Sequence, residues 1–217
     1  MIRHALAPVL APAADSLALP RRLGAAADGV AITFDDGPHP EGTPAVLQLL
    51  AGAGARATFF MVGEQVARRP ALAAEVAAAG HLIALHGHRH RLQLRLGRRE
   101  LAEDLRRGRD AIAQATGAQP SWHRPPYGIY SSAGLAEARA NEMRPLLWSR
   151  WGRDWRKFTT PQRIFTRVTR GLGPGDVILL HDADFYSARN SHRRTAAALA
   201  MILRELDHRE VATVLPA

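Results

Sequence analysis

The chain has 217 residues, enough for a single domain with a sizeable hydrophobic core. It contains no cysteine, which excludes disulfide frameworks, thiolate zinc sites and cysteine nucleophiles, so a metal would need nitrogen and oxygen ligands. The net charge of +9 comes almost wholly from arginine, since Lys157 is the single lysine. The arginines are scattered rather than gathered in one stripe, and we expect no nucleic-acid partner.

Residues 1–28 form a lead-in rich in proline and alanine, which we predict to be irregular. Pro8 and Pro12 interrupt its short apolar segment, whereas a secretory signal requires an unbroken apolar region. We therefore expect a cytoplasmic location, with the periplasm or secretion as the alternative. No stretch of the sequence has the roughly 20 apolar residues of a membrane span.

From residue 29 onward, short apolar runs alternate with amphipathic segments. The predicted strands are Val30–Phe34, Ala57–Val62, His81–Leu85, Trp122–Arg124, Arg144–Trp148, Asp176–Leu180 and Val211–Leu215. The predicted helices are Thr43–Ala51, Pro70–Ala79, Arg99–Ala115, Ala133–Asn141, Pro161–Leu172 and Arg193–His208. This alternation predicts parallel strands covered by helices, as a barrel or a doubly wound sheet, in one domain over 29–217.

Polar residues follow the predicted strands one after another, where the carboxyl ends of parallel strands place functional groups. Asp35 and Asp36 follow the first strand, and the segment HGHRH follows the third. His86 and His90 are four residues apart, so a helical turn would direct both at one ion, and Asp36 would complete a set of two histidines and one carboxylate. The alternatives to a metal site are a solvated turn that contains the aspartates and a solvated loop that contains the histidines. His81 and His88 are interpreted as structural.

The sequence resembles the polysaccharide deacetylases, the NodB-homology domain of carbohydrate esterase family four. Five segments match the family's motifs in order, and they are TFDDGP (33–38), HGHRH (86–90), RPPYG (124–128), RDW (153–155) and LLHD (179–182). The strand ATFFMVG (57–63) also fits. The resemblance extends over about residues 29–215 and implies a distorted (β/α)7 TIM-like barrel.

The resemblance also implies a role for each matching residue. Asp36, His86 and His90 would bind the metal, and Asp35 would be the general base, held by Arg124. His181 would be the general acid, oriented by Asp154. Tyr127 would offer its backbone N–H to the oxyanion, and Leu179 would line the pocket for the acetyl methyl group.

Two positions depart from the family pattern. Gly87 replaces the usual Ser or Thr, which removes a hydroxyl that could hydrogen-bond near the ligands. Trp151 replaces the first Asp of the Asp-x-x-Asp-Trp motif. Trp148, Trp151 and Trp155 therefore lie close together in sequence, and we predict that Trp151 and Trp155 bind a sugar face, with packing in the barrel as the alternative.

These observations predict a metal-dependent hydrolase that uses metal-bound water to remove an N-acetyl group from an amino sugar and release acetate. Zn²⁺ is the expected metal, with Co²⁺, Ni²⁺ and Mn²⁺ as alternatives, and the sugar belongs to a polysaccharide, an oligosaccharide or a glycoconjugate. The first alternative is an amidase for a small non-sugar metabolite. The second is a non-catalytic glycan-binding relative.

Overall fold

The structure is a computed structural model that describes residues 19–217. The proline-broken segment weighed as a secretory signal falls largely on residues 1–18, so that prediction lies outside the described residues. The strands are β1 (Ala31–Asp35), β2 (Thr58–Met61), β3 (Leu82–Leu85), β4 (Trp122–His123), β5 (Arg144–Pro145), β6 (Arg150–Trp151) and β7 (Val177–His181). The helices are α1 (Gly42–Gly52), α2 (Gly63–Arg68), α3 (Pro70–Ala78), α4 (Arg98–Thr116), α5 (Ser132–Ala140), α6 (Pro161–Thr169) and α7 (Ser191–His208).

The strands form one parallel sheet in the order β5-β4-β3-β2-β1-β7-β6. Every residue of β1, β2 and β7 is buried, as expected for parallel strands with side chains covered on both faces. The sheet curls into a half-barrel with helices packed around it, and the predicted distorted seven-stranded α/β barrel is confirmed. All seven carboxyl ends point the same way, so the loops that follow the strands share one rim.

The core lies between the sheet and its helices. Phe34 of β1 stacks on Phe59 of β2 at 5.1 Å between ring centroids, and α7 contributes Ile202 and Leu206 from its buried face. Apolar side chains recur on this helix at intervals of three to four residues, which places them on the side that faces the sheet. The core therefore fixes the strands whose ends carry the polar residues.

Three features of the observed elements differ from the sequence predictions. The predicted strand Val211–Leu215 is wrong, because this segment makes only an isolated bridge between Thr213 and Val30. The seventh strand is instead Arg150–Trp151, which at two residues is too short to show a periodic pattern. The predicted strand Arg144–Trp148 ends at Pro145, because the carbonyls of Leu146 and Leu147 turn to accept hydrogen bonds from Arg124.

The helix Gly63–Arg68 was also absent from the predictions. It has only six residues and ends at Arg68, and Arg69 is not helical because proline disfavours helical backbone in the residue that precedes it. Within residues 19–217, no helix is long and apolar enough to cross a bilayer.

Candidate active site

The carboxyl ends of the central strands bring the predicted site residues together. Asp35 is the last residue of β1 and His181 the last of β7, and the two are register partners in adjacent parallel strands. Arg124 follows β4, and His86 follows β3. The lining of one groove includes Asp35, Asp36, His86, His90, Tyr127, Trp148, Trp151, Trp155, Leu179 and His181.

Three of these side chains converge as a metal site requires. Asp36 Oδ1 lies 3.3 Å from His90 Nε2 and 3.5 Å from His86 Nε2, and the ligand atoms of the three residues all lie within 4.8 Å of one another. Two ligands about 2.0–2.1 Å from a tetrahedral zinc ion are about 3.3 Å apart, so these separations fit one ion. Asp36 Oδ1 is buried and accepts no hydrogen bond from the described residues, which leaves it available to a cation.

The hydrogen bonding of His86 also suits metal binding. Its Nδ1 lies 2.8 Å from the carbonyl oxygen of Arg124, so Nδ1 carries the proton and donates it, and the unprotonated Nε2 is left free to bind a cation beside Asp36. Burial lowers the pKa of His86 to about 3, which keeps the ring neutral at physiological pH. A neutral imidazole is the form that coordinates a metal.

The pKa of Asp36 is consistent with a missing positive charge. Burial, together with the neighbouring carboxylates of Asp35 and Asp182, raises this pKa to about 7, although a protonated His181 opposes them. A cation beside Asp36 would stabilise the carboxylate and lower its pKa again. The donor set, the orphaned oxygen and the neutral histidine together fit a divalent metal ion.

Asp35 is held by a buried arginine. Arg124 is fully buried, and its Nη1 donates to Asp35 Oδ1 at 2.7 Å and to Thr33 Oγ1 at 2.9 Å. Its guanidinium also lies 3.9 Å from the centre of the Phe60 ring. Burial raises the pKa of Asp35 above that of an ordinary carboxyl, and Arg124 offsets part of the rise. Asp35 is therefore fixed in place and is a stronger proton acceptor than an exposed aspartate.

His181 is paired with the buried carboxylate of Asp154. Its Nδ1 lies 2.9 Å from Asp154 Oδ1, and its backbone N–H donates to Asp154 Oδ2 at 2.7 Å. Thr195 Oγ1 donates to the same Oδ2 at 2.7 Å. Burial by itself lowers the pKa of His181, but Asp154 more than offsets this effect, and with Asp36 and Asp35 it raises the pKa to about 10. In the metal-free protein the imidazole is therefore protonated at neutral pH.

Three tryptophans form one wall of the groove. Trp148 stacks on Trp151 with ring centroids 5.7 Å apart, and Trp151 contacts Trp155 at 5.2 Å. Trp155 also meets the His181 ring edge-on at 5.5 Å. This wall is both packed against its neighbours and exposed to the groove.

Tyr127 and Tyr186 both contact His90. Tyr127 has a left-handed backbone with φ of 65°, and its ring meets His90 edge-on at 4.6 Å. The Tyr186 ring stacks on His90 at 4.2 Å with an interplanar angle of 10°, and its hydroxyl donates to Glu64 Oε1 and accepts from Gln65 Nε2. The structure therefore places the Tyr186 side chain against a candidate ligand.

A second group of candidate ligands, His39, Asp184 and His192, does not suit a metal ion as well. The backbone N–H groups of Gly42 and Glu41 donate to His39 Nδ1 at 3.0 and 3.2 Å. The neutral ring must then carry its proton on Nε2, which lies 3.3 Å from Asp184 Oδ1. Because this nitrogen is already protonated, it has no lone pair to offer an ion. We interpret His39 as a hydrogen-bonded support for the loop that follows β1.

The remaining histidines of the predicted cluster lie apart from the candidate ligands. His81 Nδ1 accepts the backbone N–H of Ala57 at 3.3 Å, and its ring packs on Phe59. His88 is buried beside the backbone of Gly63 and is not one of the grouped ligand atoms. Both positions are consistent with a structural role.

Comparison with known proteins gives one consistent answer. The family described as polysaccharide deacetylase matches residues 24–146; Asp154 and His181 lie beyond this match. A peptidoglycan-N-acetylglucosamine deacetylase of Bacillus cereus is 37% identical over 179 residues, which are 82% of this chain and 81% of the relative. A chitooligosaccharide deacetylase of Sinorhizobium fredii is 34% identical over 194 residues, which are 87% of this chain and 90% of the relative.

The fold is similar to that of a solved deacetylase. The crystal structure of a peptidoglycan N-acetylglucosamine deacetylase in complex with 4-naphthalen-1-yl-N-oxidanyl-benzamide superposes with a TM-score of 0.84 at 27% identity. The superposition covers 91% of this chain and 90% of that chain. The similarity therefore extends well past residue 146, into the part of the chain that carries Asp154 and His181.

Proposed function

This chain belongs to the polysaccharide deacetylase family of carbohydrate N-deacetylases, and from that premise we propose that it hydrolyses the N-acetyl group of an N-acetylated amino sugar and releases acetate. The observation that carries the proposal is that an Arg124-held carboxylate and an Asp154-held imidazole end adjacent strands beside the candidate ligands. A base and an acid placed next to one metal site match the needs of amide hydrolysis.

The residues proposed to hold the metal are Asp36, His86 and His90. A donor set of two imidazole nitrogens and one carboxylate oxygen favours Zn²⁺, with Co²⁺, Ni²⁺ and Mn²⁺ as alternatives. A divalent ion at this position would supply Lewis acidity, which polarises the acetyl carbonyl and lowers the pKa of a water in the site.

Asp35 is the proposed general base. Arg124 occupies its Oδ1, and its Oδ2 lies 3.7 Å from His86 Nε2, on the side of the candidate ligands. Oδ2 would accept a proton from the attacking water as the new carbon–oxygen bond forms. Because burial raises the pKa of Asp35, the carboxylate accepts this proton more readily than an exposed aspartate does.

His181 is the proposed general acid. Its Nδ1 is held by Asp154, which leaves Nε2 to deliver a proton to the amide nitrogen. The carbon–nitrogen bond can then break with a neutral amine as the leaving group, because a free amide anion would leave poorly. The products are acetate and the amino sugar.

The other predicted residues surround the acetyl group and the sugar in this proposal. The backbone N–H of Tyr127 would donate to the oxyanion, and Leu179 would contact the acetyl methyl group. Trp151 and Trp155 would present their ring faces to the sugar, since aromatic faces pack well on the apolar face of a pyranose. All four residues line the groove.

Acetate release from N-acetylated glycans tests the proposal. Zinc-loaded protein is incubated with chitooligosaccharides and with peptidoglycan fragments, and acetate and zinc content are both measured. We expect Asp35→Asn to keep its zinc but lose about 10²- to 10⁴-fold in turnover, and Asp36→Ala to lose zinc. Acetate release by Asp35→Asn at the wild-type rate, or full zinc retention by Asp36→Ala, would contradict these assignments.

A small non-sugar amide is the second candidate substrate class. The observation that favours it is the tryptophan wall, because Trp151 occupies the position of a family carboxylate and its contacts with Trp148 and Trp155 narrow one side of the groove. Rates on N-acetylglucosamine oligomers and on acetylated small amines are compared. A clear preference for the oligomers excludes this candidate, and no turnover of either class, with glycan binding intact, would indicate a non-catalytic relative.

A further inference from the structure

The backbone between the two candidate histidine ligands is held by a residue of a distant helix. Asp104 lies on α4 and is only 8% exposed. Its Oδ2 accepts the backbone N–H of His88 at 2.8 Å, and its Oδ1 accepts the backbone N–H of Arg89 at 3.3 Å. Both peptide groups belong to the segment between His86 and His90. The Asp104 carboxylate therefore accepts hydrogen bonds from two backbone N–H groups of the turn that connects His86 to His90.

The carbonyl groups of the same segment are held from the other side. The backbone N–H of Gly63 donates to the carbonyl of Gly87, and that of Glu64 donates to the carbonyl of His88, both at 2.9 Å. These donors belong to the first residues of α2, whose N–H groups have no acceptor within their own helix. The turn is thus held between the N-terminus of α2 and the carboxylate on α4.

Close approach of the backbones makes this contact feasible. A Cβ at Gly108, one turn beyond Asp104, would lie 3.1 Å from the backbone nitrogen of His88, so the absence of a side chain at this residue lets α4 pack closely against the turn. Gly87 has φ of 79°, and a Cβ there would lie 3.1 Å from Asp104 Oδ2. The Asp104 carboxylate therefore lies in the space that a side chain at position 87 would occupy. This chain has Gly87 there and lacks the hydroxyl of the Ser or Thr that is usual in the family.

We propose that Asp104 is a positioning residue for metal binding: its carboxylate holds the turn between His86 and His90 in the ligand-binding conformation before an ion arrives. The inference rests on the proposed function, since it assumes that these histidines are ligands. A turn that is ordered in advance loses little conformational entropy when the ion binds, whereas a loosened turn must be ordered by the ion itself. Changes to residues that orient ligands typically weaken metal binding by about 10- to 100-fold.

Zinc titration of Asp104→Asn tests the proposal. The amide is nearly isosteric, but it lacks the charge and turns an NH₂ group toward one of the two backbone donors. Metal-free protein is titrated with Zn²⁺ against a chromophoric chelator, and we expect the dissociation constant to rise about 10- to 100-fold. The matched control is Asp110→Asn on the same helix, where the exposed carboxylate pairs with Arg106; the zinc dissociation constant of this variant should equal that of the wild type.

Two further readouts separate positioning from a general loss of stability. Thermal unfolding with and without Zn²⁺ should give a smaller zinc-induced rise in Tm for Asp104→Asn than for the wild type. An equal rise together with an unchanged zinc constant would overturn the proposal. A wild-type protein that takes up no zinc would instead contradict the proposed function.

Hydrogen exchange in the wild type keeps the proposal testable even if Asp104→Asn does not fold. The amides of His88 and Arg89 should exchange slowly in the metal-free protein and at nearly the same rate after Zn²⁺ is added. Fast exchange that slows only on zinc addition would show that the ion orders the turn, and it would overturn the proposal.

Discussion

At the scale of single residues, the site depends on how two consecutive carboxylates reach different partners. Asp35 is the last extended residue of β1, whereas Asp36 has a left-handed backbone with φ of 82°. The change in backbone direction sends Asp35 to Arg124 and Asp36 to the two histidines. Each carboxylate therefore has its own positive partner once a cation is bound, which offsets the repulsion between them.

The pairing of His181 with Asp154 predicts a pH dependence. The general acid must be protonated, so activity should fall as pH rises through the pKa of His181, which is about 10 in the metal-free protein. A bound cation would offset the contributions of Asp36 and Asp35 and place this alkaline limb below 10. In Asp154→Asn the raising effect of Asp154 is lost and burial lowers the pKa, so we expect the limb in kcat/KM to move to lower pH.

The pH profiles of wild type and Asp154→Asn check this expectation, with Asp184→Asn as a control because Asp184 contacts His39 and His192 instead. An alkaline limb at the same pH in Asp154→Asn would contradict the role of Asp154.

The raised pKa of His181 also affects folding. The pair of His181 and Asp154 stabilises the native state fully below about pH 6.5, the ordinary pKa of histidine, and this contribution is lost as pH rises toward 10. Unfolding free energies at pH 6 and pH 10 should show this loss in the wild type and less of it in Asp154→Asn.

At the scale of helices and strands, periodicity predicted the long elements and failed on the short ones. The buried strands β1, β2 and β7 stand out as apolar runs, and α4 and α7 are long enough to show one apolar face. The two-residue strand at Arg150–Trp151 and the helix Gly63–Arg68 carry too few residues for a pattern. Val211–Leu215 has the composition of a strand, but its pairing is limited to one bridge, which local sequence cannot reveal.

The site residues that were predicted and those that were missed differ in the same way. Asp36, His86 and Arg124 lie in short motifs that can be recognised from the sequence. Asp104 and Tyr186 do not, because they act on the turn and on His90 from distant positions in the chain. The signal that could have found Asp104 is a buried acidic residue on the core-facing side of an amphipathic helix, next to Leu101 and Leu105.

The contact between α2 and α4 gives a prediction at this scale. A Cβ at Gly63 would lie 2.7 Å from the Cα of Gly108 and 2.8 Å from His88 Nδ1. Because one of these neighbours is backbone, the helices must move apart, and we expect Gly63→Ala to lower the free energy of unfolding by about 1–3 kcal/mol. Urea unfolding measures the change.

Gly52→Ala is the matched control for this substitution. Gly52 ends α1, and nothing lies within 4 Å of the position of its added Cβ. Alanine has the higher helix propensity, so this variant should be unchanged or slightly more stable. Equal stability of the two variants would contradict a tight contact at Gly63.

At the scale of the whole molecule, Arg124 connects strands from opposite sides of the sheet centre. It follows β4, and its guanidinium donates to Thr33 and Asp35 of β1 and to the carbonyls of Leu146 and Leu147 after β5. Because these contacts are fully buried inside the curled sheet, they tie its strands together and fix the proposed base at the same time. Stability and activity therefore depend on one side chain.

Removal of Arg124 should destabilise the whole fold. Arg124→Met leaves the buried carboxylate of Asp35 without its partner, which typically costs about 3–5 kcal/mol. The unpaired carboxyl has a strongly raised pKa, so the loss should be large at pH 8 and smaller at pH 5, where Asp35 binds a proton. Urea unfolding at the two pH values measures both effects.

The double variant Arg124→Met with Asp35→Asn is the control for the charge. It has no unpaired carboxylate, so it should recover part of the lost stability and show little dependence on pH between 5 and 8. A double variant as unstable as Arg124→Met at pH 8 would show that the lost carbonyl hydrogen bonds, and not the charge, dominate.

The register of β1 and β7 fixes the distance between the two residues proposed to transfer protons. Asp35 and His181 are paired residues in adjacent parallel strands, and strands in a sheet are about 4.8 Å apart. The spacing between the proposed proton acceptor and the proposed proton donor is therefore set by backbone hydrogen bonds inside the core. The outer surfaces of the helices can consequently be redesigned, for example for immobilisation on a support, while this spacing is retained.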